Sequence, residues 1–392
     1  MHLNPSVFLK SMTTNTFFHF IKYLFPLGIL IYSTWCGLGY TYDSYDYLSA
    51  ARSFAAQAIL INADGTPYFF HAPFFPIWIS WLGHDALSHL PTIHTALFMI
   101  SLLVLDRIIR MAISSNPLQI LAFLAVSMGV GLHMCHHFIW TEPTFLVFFL
   151  IHNLCLISII KSFRISTLSV LILSGFVLGI TRNAGIFLLV PTAIILFFYT
   201  GKFRWKATLA YFAIASSGFA LWNIYALMIV SKLAIFKEGS SFYQDIFASI
   251  WVYPDVISQW FLPAFVPMFL RITVLIGLLV ALFILLRKYH NPITEVFIIQ
   301  FFIYLVCIST IVLVDNSEAE RLLSLVYPFL IISLFIILDP YWVEIKKGMR
   351  VLIYIALSLW IGYISIRTVK NSIMWHNNRC NMEFVIFEND PN

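Results

Sequence analysis

Four short stretches set ionisable residues against long apolar runs: Tyr40-Thr-Tyr-Asp43-Ser-Tyr-Asp46, Trp140-Thr-Glu142-Pro143, Thr181-Arg182-Asn183 and Asp315-Asn-Ser-Glu318-Ala-Glu320-Arg321. A charge at the edge of hydrocarbon is costly unless it is paired or faces a polar cavity. Carboxylates and arginines from four such turns are therefore expected to rim one cavity. Two kinds of chemistry are open to that rim. A carboxylate can take a proton from an attacking group, and guanidinium forks can hold a phosphate through two parallel bonds.

Each stretch also has a plainer explanation. Asp43 and Asp46 suit a solvated loop, and Glu142 and Arg182 suit a structural pair joining two short turns. Glu318, Glu320 and Arg321 suit an exposed first turn of a helix. His133, His136 and His137 have the spacing of ligands on one helix face, but no carboxylate lies between them, so no metal is assigned. The cysteines Cys36, Cys135, Cys155, Cys307 and Cys380 are scattered and show neither a disulfide framework nor a zinc spacing. Arg271, inside an apolar run, is expected to meet an anionic lipid headgroup or to snorkel to the interface.

The elements that carry these turns are apolar helices. The 392-residue chain is 60% hydrophobic and 10% charged, against about 25% charged in a soluble domain. Its mean hydropathy is +0.88. Aromatics reach 17%, which suits many membrane–water interfaces. About eleven stretches can span: 23–39, 91–109, 118–136, 143–160, 166–180, 184–200, 207–230, 264–286, 293–313, 321–338 and 350–366. Residues 44–60 have mixed polarity and predict an amphipathic interfacial helix. Residues 73–83 are apolar but too short to cross and predict a juxtamembrane or re-entrant helix.

With the N-terminus inside, five short inner connections hold twelve of the 23 Lys and Arg, from Arg107 to Arg350. Fourteen of the 18 Asp and Glu fall outside. This is the positive-inside pattern, so the net charge of +5 reflects topology and not nucleic-acid binding. The expectation is an all-α, polytopic membrane protein of one integral domain, residues 1–392. Its longer outer segments are 40–90, with the juxtamembrane helices, then 231–263, and a short tail over 367–392.

The motifs also carry a family resemblance. Asp43-Ser44-x-x-Tyr47-Leu48-x-x-Ala51-Arg52, followed by His71-Ala-Pro73-Phe-Phe-Pro76, resembles the first outer loop of the GT-C glycosyltransferases. The match is to the branch of the protein O-mannosyltransferases and the lipid A aminoarabinose transferases. Trp140-Thr-Glu142-Pro143-Thr-Phe145 is similar to that branch's Ser-Glu-Pro-Leu-Phe turn, and Thr181-Arg182-Asn-Ala-Gly185 to its Thr-Arg-Pro-x-Gly turn. Glu320-Arg321-Leu-Leu-Ser-Leu-Val-Tyr327-Pro328 is similar to its Arg-Tyr-Leu-Leu-Pro-x-x-Pro element. The chain departs from the pattern at His71-Ala72, where the branch has Arg-Pro, at Asn183 for proline and at Leu322 for tyrosine.

The resemblance implies a sugar donor carried on a polyprenyl phosphate and an acceptor (glycan, lipid or protein) entering from the outer face. It implies Asp43 as general base in a single, inverting displacement, with Arg182 and Arg321 stabilising the departing phosphate. Asp46, Tyr47, His71, Glu142 and Glu320 would contact or orient substrate. No cofactor is required, and a divalent cation is left open. The modest length and the absence of a large outer domain point to a bacterial inner membrane with the site facing the periplasm. Three rivals share parts of the pattern. A transporter or flippase would show repeats and midplane charges. A polysaccharide polymerase or ligase would carry a late outer loop rich in arginine. A non-catalytic assembly partner would not need Asp43.

Overall fold

A computed structural model describes residues 21–201, 204–233, 251–311 and 316–381. The N-terminal Lys10, most of the 231–263 segment, Asp315 and the last residues of the tail fall outside the described residues. The described chain is helical, with two isolated bridges and no strand.

The described residues of the eleven apolar stretches are largely helical. Six are long and apolar enough to cross a bilayer: α4 (Ala86–Ala112), α7 (Glu142–Lys161), α10 (Arg204–Leu233), α12 (Met268–Tyr289), α13 (Pro292–Ile311) and α16 (Lys347–Asn381). The 118–136 stretch is instead two helices, α5 (Asn116–Ser127) and α6 (Val130–His137), bent by 45°. Gly129 sits at the bend, where a Cβ would stand 2.3 Å from the Tyr327 ring. Four more apolar helices are shorter: α1 (Ile21–Ser33), α8 (Ile165–Thr181), α9 (Ile186–Tyr199) and α15 (Tyr327–Glu344). Both non-crossing helices of the first long connection are present, as α2 (Tyr42–Gln57) and α3 (Phe74–Ser80). Two short helices complete the chain, α11 at residues 251–258 and α14 (Asn316–Leu323). α16 continues as one helix to Asn381, through the described part of the 367–392 segment.

Packing explains the order of the bundle. α7 lies between α4 and α8, and α10 lies against α8 and α9. Gly175 and Gly179, spaced Gly-x-x-x-Gly on α8, let the α10 backbone approach. A Cβ on Gly175 would stand 2.9 Å from Ala215 Cβ. α13 packs on α9 and α15, and α15 on α5. Outer surfaces of α10, α12 and α16 expose Leu221, Leu227, Val280, Ile284, Leu352 and Leu359. Such a continuous apolar exterior suits lipid and would be a liability in water. At the basic end, Asp106 joins α4 to α1: it pairs with Lys22, takes a bond from Tyr23 Oη at 2.7 Å and pairs with Arg110 Nη2 at 2.7 Å.

Two sequence expectations change, those for Arg271 and for the cysteines, while the histidines join the core. Arg271 does not reach out to lipid: its Nη2 pairs with Asp255 Oδ1 at 2.8 Å and its Nε donates to the Val266 carbonyl. The buried location favours an internal partner because a charge left in hydrocarbon is so costly. The three histidines are core residues. His133 Nε2 meets the Ser127 carbonyl at 3.0 Å, His136 Nδ1 meets the Leu132 carbonyl at 2.8 Å, and all three are buried. Finally, Cys36 and Cys380 form a disulfide with their Cα atoms 5.2 Å apart, although 344 positions separate them. No spacing rule finds such a pair, because the fold alone brings the end of α16 to the connection after α1.

Candidate active site

Asp43 and Glu142 begin two helices that are remote in sequence, and the backbone itself sews their entrances together. Gly39 N–H donates to the His137 carbonyl at 2.9 Å, and Ile139 N–H donates to the Gly39 carbonyl at 3.0 Å. Gly is needed there, because a Cβ on residue 39 would lie 2.5 Å from the Phe138 ring. Trp140 Nε1 donates to Thr41 Oγ1 at 2.8 Å, and Ser44 Oγ to the Ile139 carbonyl at 2.9 Å. Thr41 and Ser44 cap the start of α2 reciprocally, so Asp43 sits in a defined first turn. Pro143 occupies the first turn of α7, where its missing N–H costs nothing.

Arg321, on α14, is the hub. Its Nη2 lies 2.9 Å from Asp43 Oδ2, its Nε 2.5 Å from Glu142 Oε1 and its Nη1 3.3 Å from Glu318 Oε2. The guanidinium also lies over the Trp140 ring, 4.1 Å from its centroid. Burial acts to lower the Arg321 pKa, but Glu142, Tyr47 and Asp43 outweigh it and raise it. Burial also raises the Glu318 carboxyl above its ordinary range, although Arg321 opposes this.

Glu142 is fully buried and shared by two arginines, because Arg182 Nη1 pairs with the same Oε1. Arg182 Nη1 donates to Thr141 Oγ1 at 3.0 Å as well. Among the described residues, the bonds made to the Arg182 guanidinium run to Nη1. Arg182 is held in the tight turn between α8 and α9 by its own carbonyl, which accepts from Gly185 N–H at 2.9 Å. A Cβ on Gly185 would stand 2.4 Å from the Leu178 carbonyl oxygen. Gly185→Ala is therefore expected to destabilise the chain by about 1–3 kcal/mol through overpacking, read as a lower midpoint of thermal unfolding in detergent.

Asp43 is the exposed end of this network, with 30% of its side chain accessible against 0% for Glu142. Arg321 holds Oδ2, and Oδ1 lies 3.9 Å from His71 Nε2. The His71 ring packs edge-on to Tyr47, with centroids 5.1 Å apart, and edge-on to Phe70 at 5.2 Å. Burial lowers the His71 pKa although the Asp43 charge favours its protonated form. Tyr47 is buried beside the cluster, and burial raises its phenol pKa. Asn183 Nδ2 donates to the Phe70 carbonyl at 3.0 Å, fastening the His71 segment to the Arg182 turn.

The structure thus gathers Asp43, Tyr47, His71, Glu142, Arg182 and Arg321. Asp46 stands at its margin and accepts from Ala63 N–H at 3.3 Å. Glu320 turns away: it pairs with Arg367 Nη2 of α16 at 2.5 Å, on the other side of α14 from Arg321. Sequence reasoning missed Glu318 as the third acid of the hub and Trp140 as the surface under its guanidinium. The position of Glu318, three residues before Arg321, was the available signal, since side chains so spaced meet on a helix. A separate cavity of about 730 Å³, lined by Ser114, Ser115, Asn291 and Asp339, includes none of these residues.

No family model matches the chain, and no curated protein matches it in sequence. Two solved structures do match in fold. One is a crystal structure of ArnT from Cupriavidus metallidurans bound to undecaprenyl phosphate, with 14% identity and a TM-score of 0.57. The alignment covers 93% of this chain and 72% of that one. The other is the same enzyme in the apo state, with 13% identity and a TM-score of 0.58, covering 93% and 76%. Together with the apolar helices, these likenesses make the chain an integral membrane protein with the fold of ArnT.

Proposed function

We propose that the chain is a glycosyltransferase that moves a sugar from a polyprenyl-phosphate carrier to an acceptor at the outer face of a bacterial inner membrane. The observation that carries this reading is the partly exposed Asp43, with one carboxylate oxygen held by Arg321 and the other near His71, in a fold like that of a protein solved with undecaprenyl phosphate bound. An acceptor hydroxyl or amine would lose its proton to Asp43 Oδ1 as it attacks the anomeric carbon. The sugar–phosphate bond would break on the opposite face, inverting that carbon and releasing the polyprenyl phosphate. Both phosphate and carboxylate would draw on the same cations. Arg321 already serves three acids, so Arg182, bonded through Nη1, is the better partner for the departing phosphate. His71 and the phenol of Tyr47 would complete the wall around the sugar. Glu142 would touch no substrate and would orient both arginines.

The Cys36–Cys380 disulfide supports the outer side for this end of the bundle, since disulfides persist in oxidising compartments. Native mass spectrometry tests the lipid part. The protein is expected to retain added undecaprenyl phosphate, and Arg182→Gln to weaken retention by roughly tenfold, the loss of one charge-assisted bond pair. Equal retention by Arg182→Gln would remove Arg182 from the phosphate site.

A further inference from the structure

A second cluster of chemistry-bearing side chains lies at the end of α16. Cys36, His376 and Cys380 each present a ligand atom, and these atoms lie within 4.8 Å of one another. His376 and Cys380 are one helical turn apart on α16, and Cys36 comes to them from the connection after α1. His376 Nδ1 bonds the Tyr32 carbonyl at 2.8 Å, and its ring stacks on Tyr32 with centroids 4.2 Å apart. That bond fixes the tautomer and leaves Nε2, 3.5 Å from Cys380 Sγ, as the coordinating atom. Orientation of an imidazole through its other nitrogen is the usual support of a metal-bound histidine.

We infer that Cys36, His376 and Cys380 form a binding site for a divalent cation of the zinc class whenever their disulfide is reduced. Ligands about 2.0–2.3 Å from a tetrahedral ion stand roughly 3.3–3.8 Å apart, a spacing this cluster reaches by small side-chain rotations. The fourth position is open to water. Disulfide and metal use the same two sulfurs and exclude one another. Conversion requires a dithiol: one of its thiolates attacks the disulfide, the second resolves the mixed disulfide, and the reductant leaves oxidised. Cys36 and Cys380 emerge as thiols, and the ion then displaces their two protons. Either state ties α16 to residues 36–41. The strap lies only a few residues before Asp43, so the approach to α2 stays fastened in both oxidising and thiol-rich surroundings. The inference stands apart from the proposed reaction.

The test uses the full chain in detergent, reduced with a phosphine and then freed of it. Equimolar Co2+ is expected to give a thiolate-to-cobalt charge-transfer band at one ion per chain, which Zn2+ abolishes by displacement. The unreduced protein is expected to give none. His376→Ala leaves the disulfide intact, so the variant folds, yet after reduction it should bind Co2+ roughly tenfold or more weakly. Cys36→Ser should lose the band. Absence of the band in reduced protein whose far-ultraviolet dichroism is unchanged, or a band equally strong in both variants, would overturn the inference.

Discussion

Asp43→Asn is expected to abolish sugar transfer while leaving fold and lipid binding in place. The carboxamide matches the carboxylate in shape and can still accept a bond from Arg321 Nη2, now 2.9 Å from Oδ2. What it cannot do is accept the acceptor's proton. General-base assistance contributes about 10²–10⁴-fold to rate, so a loss of at least two orders of magnitude in turnover is the predicted size. The partition of the effect matters. Donor affinity should change little, because Asp43 acts on the acceptor side. A variant that weakened donor binding and left turnover intact would place Asp43 among the binding groups instead of the reacting ones. Steady-state measurements at saturating donor separate the two.

Glu142→Ala should produce the largest loss of stability of any single change at the site. The side chain is wholly buried and pairs with Arg182 and Arg321 through one oxygen. Its removal strands two guanidinium groups beside the apolar start of α7. Breaking a buried ion pair from one side costs about 3–5 kcal/mol, because the remaining charge stays desolvated and uncompensated. Arg321 keeps Asp43 and Glu318 as partners, which moderates its share. Arg182 keeps only Thr141 among the described residues, so the greater part of the cost falls there. Thermal unfolding in detergent reads the effect. A midpoint within a degree or two of the parent would show that Glu142 is not the strut proposed. Glu142→Gln retains an acceptor of the same shape and should fall between the two.

The fold was legible in the sequence to the extent that it rests on apolar length. The candidate stretches are largely helical, two of them broken into two helices, because in lipid a chain must satisfy its own backbone groups. The length of each piece was less legible. The 118–136 stretch bends at Gly129 because Tyr327, two hundred residues away, fills the space a side chain would need. At the site, the four charged turns did converge. Glu320 and Arg321 illustrate the limit: neighbours on α14 necessarily point about 100° apart, and one turns to Arg367 while the other builds the hub. Arg271 shows the same limit, since its partner Asp255 lies on α11, whose docking no local pattern encodes. The Cys36–Cys380 pair was hidden for the same reason, although the His376 and Cys380 spacing was a readable half of the second cluster.

The most direct measurement follows the carrier lipid. The protein is reconstituted in liposomes with a panel of polyprenyl-phosphate sugars and a cell-envelope extract as acceptor, and the lipid is analysed by mass spectrometry. The account predicts that one donor is converted to free polyprenyl phosphate, with a matching gain of sugar in the acceptor fraction. It also predicts that Asp43→Asn, folded and able to bind lipid, leaves that donor intact. Conversion at equal rates by parent and variant would contradict the role of Asp43. A folded parent that consumes no donor, but carries intact lipid-linked sugar from one leaflet to the other, would contradict the enzyme and establish a transporter.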